Sequence, residues 1–208
     1  MMSAIIQFDE AAHEYRVNGV RTPSVTEILK PLYSDLRFVQ KDLLDYASER
    51  GKAVHKAVEL HVLGGLDYGS LSGDVALYFD QYLDFEAETG FKAVLSEALV
   101  ASKMGYAGTL DLAGHMRGKF ALVDLKTTAT LSLAVALQTA AYQKAANEST
   151  EHNIECRFAL RVSPKKHDLY PYTKDQQDFA SFLGFLSVHR WCAANKKTIT
   201  TEVEKNEF

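Results

Sequence analysis

Two apolar stretches, Tyr106–Met116 and Lys119–Thr127, meet at Arg117-Gly118, and this pairing constrains the fold more than any other feature of the chain. Gly118 accepts the positive φ that a tight hairpin turn demands. A turn centred there places Asp111 opposite Asp124 and Thr109 opposite Lys126. Side chains repeat every second residue along a strand, so Lys126 shares a face with Asp124. Directly opposed residues hold their Cβ atoms about 4.5–5.5 Å apart. Two carboxylates that close, among Leu122, Val123 and Leu125, need a proton, an ammonium group or a metal cation between them. Hard oxygen ligands suit Mg²⁺ or Mn²⁺. A Lys126 ammonium beside them can orient a water or offset charge on a phosphate. The structural alternative is a salt bridge from Lys126 to either aspartate on a solvated sheet face.

The remaining chain frames this hairpin. Ile5 to Arg16 alternates loosely and meets Asn18-Gly19, which predicts a small hairpin through Val20. Ser24 with Glu27 forms a capping box for a short helix that ends near Pro31. Helical patterns follow from Leu36 to Leu63, with a break near Gly51, and from Gly73 to Thr89. Phe91–Ser102 is a strand before the central hairpin. Leu131–Asn147 is an Ala-rich helix, Ile154–Val162 and Leu169–Thr173 are strands, and Lys174–Ala194 is a final helix before a partly mobile tail. The order predicts an α/β or α+β core with helical additions at its front. We read one domain over 1–208, divided into a hairpin and helices (1–90), a core (91–195) and a tail (196–208).

Composition narrows the classes. The chain is 47% hydrophobic and 24% charged, which excludes a disordered or fibrous protein. Basic residues number 23 against 27 acidic, so bulk charge does not coat nucleic acid, although an enzyme with central acids and a basic rim is compatible with that balance. No apolar run reaches the roughly 18 residues of a membrane span, and no secretory signal is visible, so a cytoplasmic setting is expected. His55, Glu59 and His61 invite a zinc reading, but a six-residue step turns the two histidines to different helix faces. Lys165-Lys166-His167 and Lys196-Lys197 offer phosphate contacts, and Tyr172 and Trp191 offer stacking surfaces, against their ordinary roles as solvated surface and core.

Asp111 followed by Asp124-Leu125-Lys126 resembles the PD-(D/E)XK nuclease signature, with Gly108-Thr109-Leu110-Asp111 at its first acidic motif. Gln138 and Tyr142 form a Q-x-x-x-Y on the following helix, which resembles the RecB-type, lambda-exonuclease-like branch. Gly51-Lys52-Ala53-Val54-His55 resembles the histidine motif of that branch, and Glu97 sits where many relatives keep a glutamate. The opening from Phe8-Asp9 to Pro23-Ser24-Val25-Thr26 resembles phage-encoded members. The resemblance implies a restriction-endonuclease-like core, a mixed central sheet flanked by helices, with N-terminal helical additions. It implies a Mg²⁺- or Mn²⁺-dependent deoxyribonuclease, an exonuclease of phage or bacterial recombination, replication or repair. Asp111, Asp124, the Leu125 carbonyl and His55 would hold the metal. Lys126 would position the water, Glu97 would assist, and Gln138 and Tyr142 would shape the site and touch DNA. Partners would be DNA and a recombination or single-strand-binding protein, with oligomers allowed. Cys156 and Cys192 are too few for the four-cysteine iron–sulfur cluster of some relatives, so none is expected. The alternatives are a non-catalytic DNA- or partner-binding module on the same fold and a structure-specific endonuclease.

Overall fold

A computed structural model describes residues 4–33 and 41–205, with side chains up to residue 195. At the front, β1 (Ile6–Asp9), β2 (Glu14–Val17) and β3 (Val20–Thr22) form an antiparallel sheet in that order. The single hairpin expected through Val20 is thus three strands. The chain already reverses after Asp9, whose carboxylate accepts from the Ala12 N–H (3.0 Å), with His13 at φ 51°. Asn18-Gly19, at φ 51° and 80°, then joins β2 to β3, both residues taking the positive φ of a mirror-type turn. Helix α1 (Val25–Ile28) starts as expected: Ser24 Oγ accepts from the Glu27 N–H at 2.9 Å.

Helix α2 (Lys41–Val62) runs through Gly51 without a break. A Cβ at Gly51 would lie 3.2 Å from Thr127 Oγ1, so this glycine serves a close approach to the central hairpin. The helical reading from Leu36 to Gln40 falls outside the described residues. Helix α3 (Gly73–Thr89) buries Val75, Tyr78, Phe79, Tyr82 and Phe85 along one stripe and ends on Gly90 at φ 67°.

The second sheet has the order β4 (Lys92–Ser102), β5 (Tyr106–Met116), β6 (Lys119–Lys126), β7 (Cys156–Ser163), β8 (Lys166–Tyr172). Only β6 and β7 are parallel, joined through helix α4 (Ala134–Ser149); the other neighbours are antiparallel. Helix α5 (Asp175–Lys205) carries the backbone well past the expected end at Ala194, into the segment read as a tail. Trp191, on α5, is exposed rather than core. Helices α2 and α3 cover one face of the sheet, packing Val54, Val58, Phe79 and Phe85 against Leu112, Val123 and Leu125. Helices α1, α4 and α5 cover the other, packing Ile28, Ala141, Ala145 and Phe182 against Leu110 and Leu122. The protein is therefore α/β: a five-stranded mixed sheet between helical layers, with a small antiparallel sheet resting on β4 and β5 through Tyr15, Ala101 and Ala107. Among the described residues no helix is long and apolar enough to cross a membrane.

Arg157 of β7, with a fully buried side chain, ties the second layer together. It donates to Asp175 (2.7 and 2.9 Å), Asp178 (2.9 Å), the Ala136 carbonyl (2.8 Å) and Thr139 Oγ1 (3.0 Å). Arg157→Ala removes a buried side chain and leaves the part-buried Asp178 carboxylate without its guanidinium, and is expected to cost about 3–5 kcal/mol. Urea unfolding measures it; a loss below about 1 kcal/mol would mean that the network contributes little.

Candidate metal centre

The central turn forms as the spacing predicts. Arg117 and Gly118 take φ 50° and 79°, and the ladder runs from Met116↔Lys119 to Leu112↔Val123. It stops one pair short of Asp111 and Asp124. There the strands open into a fork, and Asp111 Oδ2 accepts from the Leu125 N–H at 2.7 Å.

The fork has a cause on its other side. Leu95, Ala98 and Val100 of β4 join one core cluster, as do Tyr106, Leu110 and Ala113 of β5. Strict alternation would separate Leu95 from Ala98 and Leu110 from Ala113, so each strand slips by one residue in between. Pairing continues on both sides, at Ser96↔Leu112 and Ala98↔Leu110, so the two slips coincide at Glu97 and Asp111. Glu97 takes φ 45°, a left-handed conformation unusual for a non-glycine residue inside a strand. Strain of this kind needs the surrounding structure to hold it and clusters at functional sites.

His55 reaches this point from α2, one turn after the close approach at Gly51. Its Nε2 lies 3.1 Å from the Leu125 carbonyl, and its Nδ1 lies 3.3 Å from Glu97 Oε1 and 3.8 Å from Asp111 Oδ1. With Nε2–H donating to Leu125, the Nδ1 lone pair faces the two carboxylates. His55, Glu97 and Asp111 each offer a ligand atom within 4.8 Å of the others. Asp124 falls outside that trio. Its Oδ2 lies 2.6 Å from Lys126 Nζ, which is also 4.0 Å from Asp111 Oδ2. The expected juxtaposition of Asp111 and Asp124 is thus bridged by the Lys126 ammonium, and the Leu125 carbonyl, expected as a ligand, accepts from His55.

Asp124 is 1% exposed, yet among the described residues no donor meets either carboxylate oxygen with hydrogen-bond geometry; Lys126 is close but badly angled. A buried carboxylate offset by an ammonium but lacking aligned hydrogen-bond donors is costly. Burial pushes the Asp124 carboxyl up to about 6, against the pull of Lys126 and with the push of Asp111. Burial would lower Lys126, but Asp124 and Asp111 hold its ammonium above the ordinary lysine value. Burial likewise opposes the His55 cation, and Asp111 and Glu97 outweigh it, raising His55. A divalent cation would satisfy the orphaned oxygens and the donor set His55, Glu97, Asp111 and Asp124, one imidazole and three carboxylates, which suits a hard ion.

Gln138 and Tyr142 stand behind this centre on α4. Tyr142 OH is 3.4 Å from Gln138 Nε2, and Tyr33 OH is 3.4 Å from Gln138 Oε1. They are 7% and 4% exposed. Gly108 makes room for the Tyr142 ring, since a Cβ there would lie 2.5 Å from Tyr142 Cε1. Sequence reasoning missed Tyr33, Tyr15 and Arg161. Tyr15 OH meets Thr109 Oγ1 at 2.9 Å and so ties the small sheet to β5 two residues before Asp111. Arg161 pairs in register with Lys126; a basic residue midway along an apolar strand was its visible signal.

No family model matches the sequence, and no curated protein sequence matches it. Among solved structures, the crystal structure of SSO0001 is similar over 77% of this chain and 81% of that chain, at 13% identity and a TM-score of 0.36. A score of that size carries no argument about chemistry, and the reading of the site rests on its own geometry.

Proposed function

We propose that this protein is a divalent-metal-dependent deoxyribonuclease with a PD-(D/E)XK-type centre on a restriction-endonuclease-like core, acting as an exonuclease in phage or bacterial DNA recombination, replication or repair. The observation that carries the reading is the buried, hydrogen-bond-deficient Asp124 carboxylate beside Asp111, His55, Glu97 and the Lys126 ammonium. His55, Glu97, Asp111 and Asp124 would hold Mg²⁺ or Mn²⁺. A cation bound there polarises a phosphoryl oxygen and acidifies a coordinated water.

The chain's own groups supply the rest. The Leu125 N–H fixes one oxygen of Asp111, so the other keeps its direction toward His55. The Leu125 carbonyl orients the His55 ring. Lys126 Nζ lies between two carboxylates, where an ammonium can hold a water in line with a phosphate and offset charge developing on it.

Purified protein is expected to release label from end-labelled linear DNA with Mg²⁺ or Mn²⁺ and to stop with EDTA. Binding of DNA without turnover in either cation would overturn the enzymatic reading. Cleavage of a closed single-stranded circle would replace the exonuclease by an endonuclease.

A further inference from the structure

A groove of about 460 Å³ opens beside the metal centre, lined by Thr130, Leu133, Ala136, Arg161, Tyr170 and Tyr172. That volume lies within the range of about 300–1,000 Å³ usual for small-ligand sites. It lies where the chain leaves β6 for α4 and runs along β8, from Arg161 near the carboxyl end of β7 to Tyr172, which pairs with Arg157.

Register connects the groove to the centre. Lys126 pairs with Arg161, and Arg161 with Asp168; Asp124 pairs with Ala159, and Ala159 with Tyr170. Paired residues share a face, so one row runs Lys126, Arg161, Asp168 and the next runs Asp124, Ala159, Tyr170. Arg161 at the groove therefore stands one strand spacing, about 5 Å, from Lys126 of the centre. Arg161 donates to the Ala129 carbonyl and to Asp168. Its Nε is buried out of reach of a ligand, but the two terminal nitrogens carry four N–H donors between them, so capacity remains beside the Ala129 and Asp168 contacts. Tyr170, 39% exposed, lies 5.9 Å from the Arg161 guanidinium, and Leu133, 88% exposed, stands at the rim. An apolar aromatic wall and an arginine one strand away from the lysine of a candidate phosphodiesterase centre together match one occupant. A nucleotide offers a π-face to stack and a phosphate for a bidentate donor.

We propose that this groove holds a nucleotide of single-stranded DNA next to the bond being cut, its base against Tyr170 and Leu133 and its phosphate toward Arg161. The assignment rests on the nuclease reading for its substrate and names how that substrate is gripped. Single strands fit because an unpaired base can be splayed onto the wall, whereas a base inside a duplex is already stacked.

The test measures binding of a fluorescent oligothymidylate to the full chain in EDTA by anisotropy, with Mn²⁺ uptake followed separately by calorimetry. Tyr170→Ala and Leu133→Asp are each expected to weaken oligothymidylate binding about tenfold while leaving Mn²⁺ uptake unchanged. Leu133 is exposed, so its variant keeps the test intact if Tyr170→Ala fails to fold. Wild-type affinity in the folded variants, or no binding by the wild type, overturns the groove assignment. Should the variants bind as the wild type does while DNA is still cleaved with Mg²⁺, the groove fails and the nuclease stands. Should the wild type bind and the variants lose binding, with no cleavage by any of them, the nuclease reading fails and the groove stands.

Discussion

Lys126→Met lowers DNA cleavage by about two to four orders of magnitude, the range that a positioned acid–base or charge-offsetting group supplies. Methionine keeps most of the volume of the lysine stem, so core packing around Leu125 changes little. The ammonium, however, lies against both Asp124 and Asp111, at 2.6 and 4.0 Å. Without it two carboxylates face each other across the fork, and the metal-free variant melts below the wild type. Saturating Mn²⁺ replaces the missing positive charge and restores much of the lost melting temperature, because a ligand bound only to the folded state stabilises it. Turnover does not return with it, since the cation does not take over the water-positioning role assigned to Lys126. Recovery of fold without recovery of rate separates chemistry from structure. Lys126→Met cleaving at the wild-type rate in Mg²⁺ would remove Lys126 from the mechanism.

Parts of this centre were legible because their causes are local. Gly118 announced a turn and the turn set the register as far as Leu112↔Val123, one pair short of Asp111 and Asp124, which both lie near Lys126. Ser24 and Glu27 announced a helix start in the same way. The fork was not legible. It depends on two coincident slips, at Glu97 and Asp111, that cancel in the ladder and leave no trace in the spacing of either strand alone. Gly51 was misread because a glycine that breaks a helix and one that lets a helix approach Thr127 look alike until the partner is known. Arg157 went unremarked for a similar reason. Its acidic partners Asp175 and Asp178 lie on the next helix but belong to no motif, and only tertiary packing makes them one network. The N-terminal strands were misdivided because Asn18-Gly19 is a strong turn signal and the Asp9–Ala12 turn a weak one. What pairs over long sequence distances, or needs two irregularities together, escapes a reading built on neighbours.

Mn²⁺ raises the melting temperature strongly near pH 8 and weakly near pH 5, and Asp124→Asn abolishes most of the rise at both. The slope follows from protons that must leave before a cation binds. The Asp124 carboxyl, pushed up to about 6 by burial, is largely protonated in the metal-free protein at about pH 5 and ionised at about pH 8. His55, also raised, holds its proton above the ordinary histidine range and competes over the same interval. Metal-free stability runs the other way. Both groups bind protons more tightly folded than unfolded. The Asp124 contribution is therefore complete below the unfolded carboxylate value of about 4 and is lost as pH rises through about 6. The His55 contribution is complete below the unfolded imidazole value of about 6.5 and is lost as pH rises through its higher folded value. Mild alkalinity thus loosens the empty centre and tightens the loaded one, and the gap between the two melting curves widens with pH. Asn at 124 carries no titrating carboxylate, so the metal-free curve of the variant loses the step near pH 6 along with most of its response to Mn²⁺. Scanning fluorimetry across pH, with EDTA or with Mn²⁺, measures both curves. Equal Mn²⁺ shifts at the two ends of the range, or a full shift retained in Asp124→Asn, would show that Asp124 does not hold the cation and that its orphaned oxygens serve something else.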